Sequence, residues 1–173
     1  MQQALKDRLL RHLSALEGER NPVTAPAHHL RARRYVEDHL APLGPLQHQV
    51  FSTGAIEGIN LLVPLTGRKE GPALLLGAHY DTAPNTPGAD DNASGVAVLL
   101  EVARLCTQDP PALPLLIVAF DLEEQGIVGS QVLAAQFHRE RRPLALALSL
   151  EMVGVCRREP RSQQYPFPFR WFS

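Results

Sequence analysis

LLLGAHYD, residues 74–81, decides the reading of this chain. Leu74 to Ala78 runs without a polar side chain and then stops at His79, Tyr80 and Asp81. A short, nearly continuous apolar run predicts a strand buried on both faces, the kind from which helix-covered parallel sheets are built. The pattern recurs twice. Leu115 to Phe120 leads into Asp121 and the pair Glu123-Glu124, and Leu144 to Leu150 leads into Glu151.

Helical periodicity fills the gaps between these runs. Val96, Leu99, Leu100 and Ala103 mark one helix; Val132, Leu133 and Phe137 mark another, reaching about Glu140. Strand, helix, strand, helix, strand predicts an α/β layered sheet. Upstream, Leu5, Leu9, Leu13 and Leu16 predict a helix over residues 2–17, closed by Gly18 and Asn21-Pro22. A second helix is expected from Ala27 to Leu40, with the basic run Arg31, Arg33 and Arg34 on its solvated face. Gln47 to Thr53 alternates like a half-buried strand, and Ile59 to Leu65 is the next. With no repeat and no low-complexity linker, residues 1–173 read as one domain.

Composition narrows the function classes. A net charge of -1 gives no electrostatic reason to expect nucleic acid or an anionic membrane as partner. The apolar runs are too short and too often broken for a membrane span. Met1 to Gly18 alternates Leu with charge where a signal peptide needs an apolar stretch. Cys106 and Cys156 read as two buried thiols in a reducing compartment, so a cytoplasmic location is expected. Oligomeric state leaves no trace in the sequence.

Open parallel sheets bind ligands at the carboxyl ends of their strands. Here those ends carry His79 and Asp81, then Asp90-Asp91-Asn92 before the first helix, then Asp121 and Glu123-Glu124, then Glu151. So many carboxylates repel one another unless a cation sits among them. An imidazole with Asp and Glu, and no Cys, suits zinc, cobalt or manganese. Two metals bridged by one carboxylate balance the charge best, and such sites serve hydrolysis. Each piece alone has a duller reading. Asp90, Asp91, Asn92 and Ser94 can cap a helix, Asp121-x-x-Glu124 loosely resembles a capping box, and His79 can be structural. Their joint placement at three strand ends favours the metal site.

At these residues the sequence resembles the M28 family of zinc aminopeptidases. The matching stretches are Gly77-Ala78-His79-Tyr80-Asp81-Thr82, Pro87 to Gly95 (PGADDNASG), Phe120 to Gly126 with Gly129-Ser130, and Ser149 to Gly154 (SLEMVG). A weaker likeness runs through Arg20-Asn21-Pro22 and Asn60-Leu61-Leu62. The resemblance implies a three-layer α/β/α fold with a mostly parallel mixed sheet, as in zinc exopeptidases. It implies His79, Asp91, Glu124 and Glu151 as metal ligands, with Asp91 bridging two zinc ions and Glu151 standing where many members carry Asp. Glu123 would be the general base, and Asp81 would fix the tautomer of His79. The reaction implied is removal of the N-terminal residue from a peptide or amino-acid amide.

One departure qualifies this. The family supplies a further His ligand downstream, and no His follows His138, which belongs to the second predicted helix of the α/β stretch. The chain stops at Ser173 after Tyr165 to Phe172, a tail holding the only Trp and three of the six Phe. The expectation is an N-terminal portion of a longer protein, incomplete at its C-terminus. Two alternatives stay open beside the aminopeptidase: an inactive metal-binding remnant, and a single-zinc acyltransferase of the glutaminyl cyclase kind.

Overall fold

The computed structural model describes residues 2–156 and residue 159. The aromatic tail at 165–172 lies outside the described residues. Nine regular elements follow in order: α1 (Gln2–Leu16), α2 (Pro26–Leu40), β1 (Gln47–Thr53), β2 (Ile56–Leu65), β3 (Ala73–His79), α3 (Gly95–Gln108), β4 (Leu115–Phe120), α4 (Val128–Arg139) and β5 (Leu144–Ser149). Short helical turns at Ala41–Leu43 and Ala89–Ser94 complete them. None of the described helices is long and apolar enough to cross a membrane.

The strands form one sheet in the order β1-β2-β4-β3-β5. β3 pairs in parallel with β4 and with β5, whereas β2 is antiparallel to both β1 and β4. Only β2 runs against the others, so the sheet is mixed and mostly parallel. The centre of the sheet holds the apolar runs because both of its faces are covered. Leu115, Ile117 and Ala119 of β4 face the layer made by α1, α2 and α3; Leu116 and Val118 face Leu133 and Phe137 of α4. Buried Val96, Leu99 and Leu100 seat α3 on the first face, each contributing about 1.5–3 kcal/mol through burial. The outcome is a three-layer α/β/α sandwich.

Three expectations need correction. β2 begins at Ile56, because Thr53 pairs with Ile56 across the two-residue hairpin Gly54-Ala55 and the ladder starts at the turn. Leu144 to Leu150 reads as a strand buried on both faces, yet β5 is an edge strand whose residues from Ala145 to Ser149 are exposed. Among the described residues it has a partner on one side only. The thiols are not both buried either: Cys106 on α3 is half-buried, and Cys156, in the stretch beyond β5, is exposed.

Candidate metal centre

Parallel pairing in register aligns the ends of β3, β4 and β5. His79 pairs with Phe120, Gly77 with Ser149, and the N–H of Leu150 continues the ladder to the carbonyl of Gly77 at 2.8 Å. Residues that leave these three strands therefore emerge side by side.

His79 lies at the centre, 3 % exposed. Its Nε2 stands 3.1 Å from Asp91 Oδ1, 3.3 Å from Glu151 Oε1 and 3.9 Å from Glu123 Oε2. One donor atom each from His79, Asp91 and Glu151 lies within 4.8 Å of the other two. Two ligand atoms each 2.0–2.1 Å from a tetrahedral zinc lie about 3.3 Å apart, so these separations suit such an ion. Asp91 Oδ1 is buried and accepts no hydrogen bond, as a carboxylate oxygen reserved for a cation would be. The donor set fits zinc, with nitrogen and oxygen and no sulfur.

Asp81 supports the centre from below. It is fully buried; its Oδ1 lies 3.3 Å from His79 Nδ1, and its two oxygens accept the N–H groups of Glu123 (3.1 Å) and Glu124 (3.0 Å). One carboxylate thus ties the end of β3 to the end of β4. Glu123 is turned toward His79, and Glu124 is turned elsewhere. Glu124 is absent from the close group and lines a hollow of about 260 Å³ together with Asp91 and Asp90. Asp91 therefore adjoins His79 and Glu151 and also shares the hollow with Glu124.

Electrostatics follow from this crowding. Burial would lower the His79 pKa, but the hydrogen bond and charge of Asp81, with the charges of Glu151 and Glu123, raise it to about 9. Glu123 is raised, first by burial and then by the nearby charges of Glu124, Asp81 and Glu151, against the pull of His79. Burial also raises Glu151, with Asp91 and Glu124 adding to it and His79 opposing. The raised pKa of His79 reports negative surroundings, in which a divalent ion would take the place of the proton on Nε2.

The turn before α3 behaves differently from a simple cap. Ser94 makes no side-chain cap; its hydroxyl donates to the carbonyl of Asp90 and accepts the N–H of Val153 at 3.0 Å. Asn92 donates to the carbonyl of Leu150 (2.8 Å) while its Oδ1 accepts the N–H of Gly95 (3.0 Å). Asp90 Oδ1 accepts from Gly154 at 2.8 Å. These three side chains stitch the turn to the segment after β5 and so hold Glu151 against Asp91. Gly95 permits the approach: a Cβ there would fall 2.3 Å from Asn92 Oδ1 and 2.6 Å from the carbonyl oxygen of Leu150.

Asp121 does not join the cluster. It is fully buried and accepts hydrogen bonds from His29 Nε2 (2.7 Å), the Tyr80 hydroxyl (2.7 Å) and the N–H of Ile59 (2.9 Å). Nor does it cap α4, which begins after Ile127 without a side-chain cap. Periodicity reveals neither the role of His29, whose partner Asp121 lies 92 positions away, nor that of Arg20, named above only within a weak likeness, which reaches Tyr80 across 60 positions. His138 is in the last turn of α4 and is not in the donor group.

An open groove of about 940 Å³ begins at the centre and runs between α4 and β5. His79, Glu123 and Glu151 line it together with Leu75, Phe120, Leu133, Phe137 and Leu148.

The model of Peptidase family M28 matches residues 60–167, more than half of the chain. The chain belongs to peptidase family M28. Among relatives of this M28 chain, YfbL of Escherichia coli strain K12 is 43% identical over 112 residues, covering 59% of this chain and 35% of YfbL. Aminopeptidase YwaD of Bacillus subtilis strain 168 is 38% identical over 79 residues, covering 45% and 17%. The M28 chain thus spans about a third of YfbL and less of YwaD. Among solved structures, the glutaminyl cyclase of Porphyromonas gingivalis superposes with a TM-score of 0.71 at 27% identity, covering 89% of this chain and 60% of that one.

Proposed function

We propose that this M28 chain carries a metal-dependent aminopeptidase site that hydrolyses the N-terminal bond of a peptide or amino-acid amide. The observation that carries the reading is the convergence of His79, Asp91 and Glu151 within 4.8 Å from three separate stretches of chain. His79, Asp91 and Glu151 would hold one zinc ion, and Asp91 with Glu124 would hold a second. Bound there, the ions would polarise the scissile carbonyl and ready a water for attack. Glu123, beside the group and with its pKa raised, takes the proton of the attacking water and returns it to the leaving amine. Asp81 keeps the His79 ring oriented through Nδ1. The apolar groove beside Glu123 and Glu151 receives the substrate chain.

A second reading comes from the likeness to the Porphyromonas enzyme: single-zinc cyclisation of an N-terminal glutamine. The pair Glu123-Glu124, and Asp91 shared between two sides, favour two-metal hydrolysis. Chelated protein titrated with zinc decides among them. Zinc-dependent release of p-nitroaniline from aminoacyl p-nitroanilides, with two zincs per chain, supports the aminopeptidase. Pyroglutamate formed from a glutaminyl anilide, with one zinc, supports the cyclase. Zinc bound without either product leaves a metal-binding chain and overturns both activities.

A further inference from the structure

His79 and Asp91 sit at the two ends of one connection, and from residue 80 to the turn at Ala89 that connection has no regular structure of its own. The segment that follows α1 grips it. The Gly18 N–H donates to the carbonyl of Pro87 at 2.7 Å, and the Arg20 N–H donates to Thr82 Oγ1 at 2.8 Å. Arg20 Nε donates to the carbonyl of Tyr80 (2.8 Å) and Nη2 to that of Gly88 (2.9 Å). Asn21 Nδ2 donates to the carbonyl of Thr82 at 3.0 Å. Arg20 Nη1 turns back to the carbonyls of Leu16 and Gly18, which fixes the guanidinium on its own segment.

Arg20 is 0 % exposed, and every hydrogen bond its guanidinium makes goes to a main-chain carbonyl. A buried cation is costly unless charge and hydrogen bonds compensate it. Burial lowers its pKa to about 10, opposed by the charges of Asp81 and Asp91, so it stays cationic beside the acids of the metal centre. The loop is shaped to admit it. Gly88 has φ +58°, and a Cβ there would fall 2.3 Å from Thr82 Cγ2 and 2.7 Å from Arg20 Nη2. A planar fork can reach two carbonyls on opposite ends of a loop at once; a lysine ammonium cannot.

We propose that Arg20, aided by Asn21, is a positioning residue for the metal centre, holding residues 80–88 so that Asp91 meets His79. This rests on the metal reading above and adds a residue that contacts neither ion nor substrate. Zinc affinity of the chelated, folded chain is measured by competition with a chromophoric chelator, and the visible spectrum of the cobalt form is recorded. Arg20→Met is expected to weaken zinc binding by about tenfold to a hundredfold and to alter the cobalt bands, with Arg20→Lys recovering only part. Leu40→Ala, a core substitution far along α2, serves as the destabilised control and should keep the affinity of the parent chain.

Should Arg20→Met fail to fold, Asn21→Asp decides. It keeps the oxygen that accepts the N–H groups of Val23 and Thr24 while losing the bond to Thr82. Several-fold weaker zinc binding is then expected. Parental affinity and spectrum in the folded variants, or an equal loss in Leu40→Ala, overturns the positioning role. A parent chain that binds no zinc overturns the metal reading itself, a separate result.

Discussion

The N–H of Glu124 donates to Asp81 Oδ2 at 3.0 Å, so the residue beyond β4 that lines the hollow beside Asp91 is tied to the residue behind His79. The same carboxylate accepts the N–H of Glu123 and adjoins His79 Nδ1. Asp81→Ala leaves two half-buried N–H donors without their partner, each costing about 1 kcal/mol, and leaves His79 Nδ1 only the main-chain carbonyl of residue 81, 3.2 Å away. Zinc affinity should fall by about tenfold to a hundredfold, read by chelator competition, alongside a lower urea midpoint.

Glu123→Gln separates proton transfer from metal binding. Glu123 approaches His79 only to 3.9 Å and lies outside the close donor group. Turnover of an aminoacyl p-nitroanilide should fall by about 10²–10⁴-fold with zinc content nearly unchanged. Loss of zinc instead would show that Glu123 is a ligand and the base lies elsewhere.

Much of this arrangement is legible in the sequence, and the reason is periodicity. β3 and β4 announce themselves because both faces are buried, and their last apolar residues point to where the chemistry begins. β5 carries the same signature without the burial, since an apolar run reports what a strand can pack against and says nothing of whether a neighbour is present. Long-range polar pairs are illegible for a different reason. His29 with Asp121, and Arg20 with Gly88, follow no period and meet only once the sheet has formed. Glu123 and Glu124 are adjacent in sequence, yet the pattern alone does not tell which one turns toward His79.

Asp121 illustrates the cost of losing such a pair. It accepts hydrogen bonds from His29, Tyr80 and the N–H of Ile59, and its own side chain is fully buried. Asp121→Ala should destabilise the chain by roughly 3–5 kcal/mol, measured by urea unfolding. A loss near that of an exposed carboxylate would show that water replaces it.

Glu101 ties the stability of the chain to acid pH. This buried carboxylate on α3 accepts from Arg8 Nε at 2.7 Å and from Arg104 Nη2 at 2.9 Å. Burial pushes its pKa up, but the bonds and charges of Arg104 and Arg8 outweigh it and hold the group at about 2. A pKa depressed on folding contributes stability above the unfolded value of 4.5, and that stability is lost as pH falls toward 2. The loss should be on the order of 2 kcal/mol between these limits, and Glu101→Gln should flatten that part of the stability curve, as urea melts at several pH values would reveal.

The edge of β5 should make the chain self-associate. Leu146 and Leu148 are 50 % and 52 % exposed on a strand paired on one side only among the described residues. Open apolar edges invite pairing with another chain, and charged side chains discourage it. The double substitution Leu146→Lys and Leu148→Lys should shift sedimentation toward the monomer.

His79 and Glu151 stand 72 positions apart, and among the described strands β3 and β5 pair across the longest sequence separation. An ion bound between them would bridge a contact that closes a long loop and forms slowly, so it would do little to hasten folding. Its effect would fall on the reverse path: parting β3 from β5 would first require its release, and a loaded chain would resist unfolding for longer than its equilibrium stability alone implies.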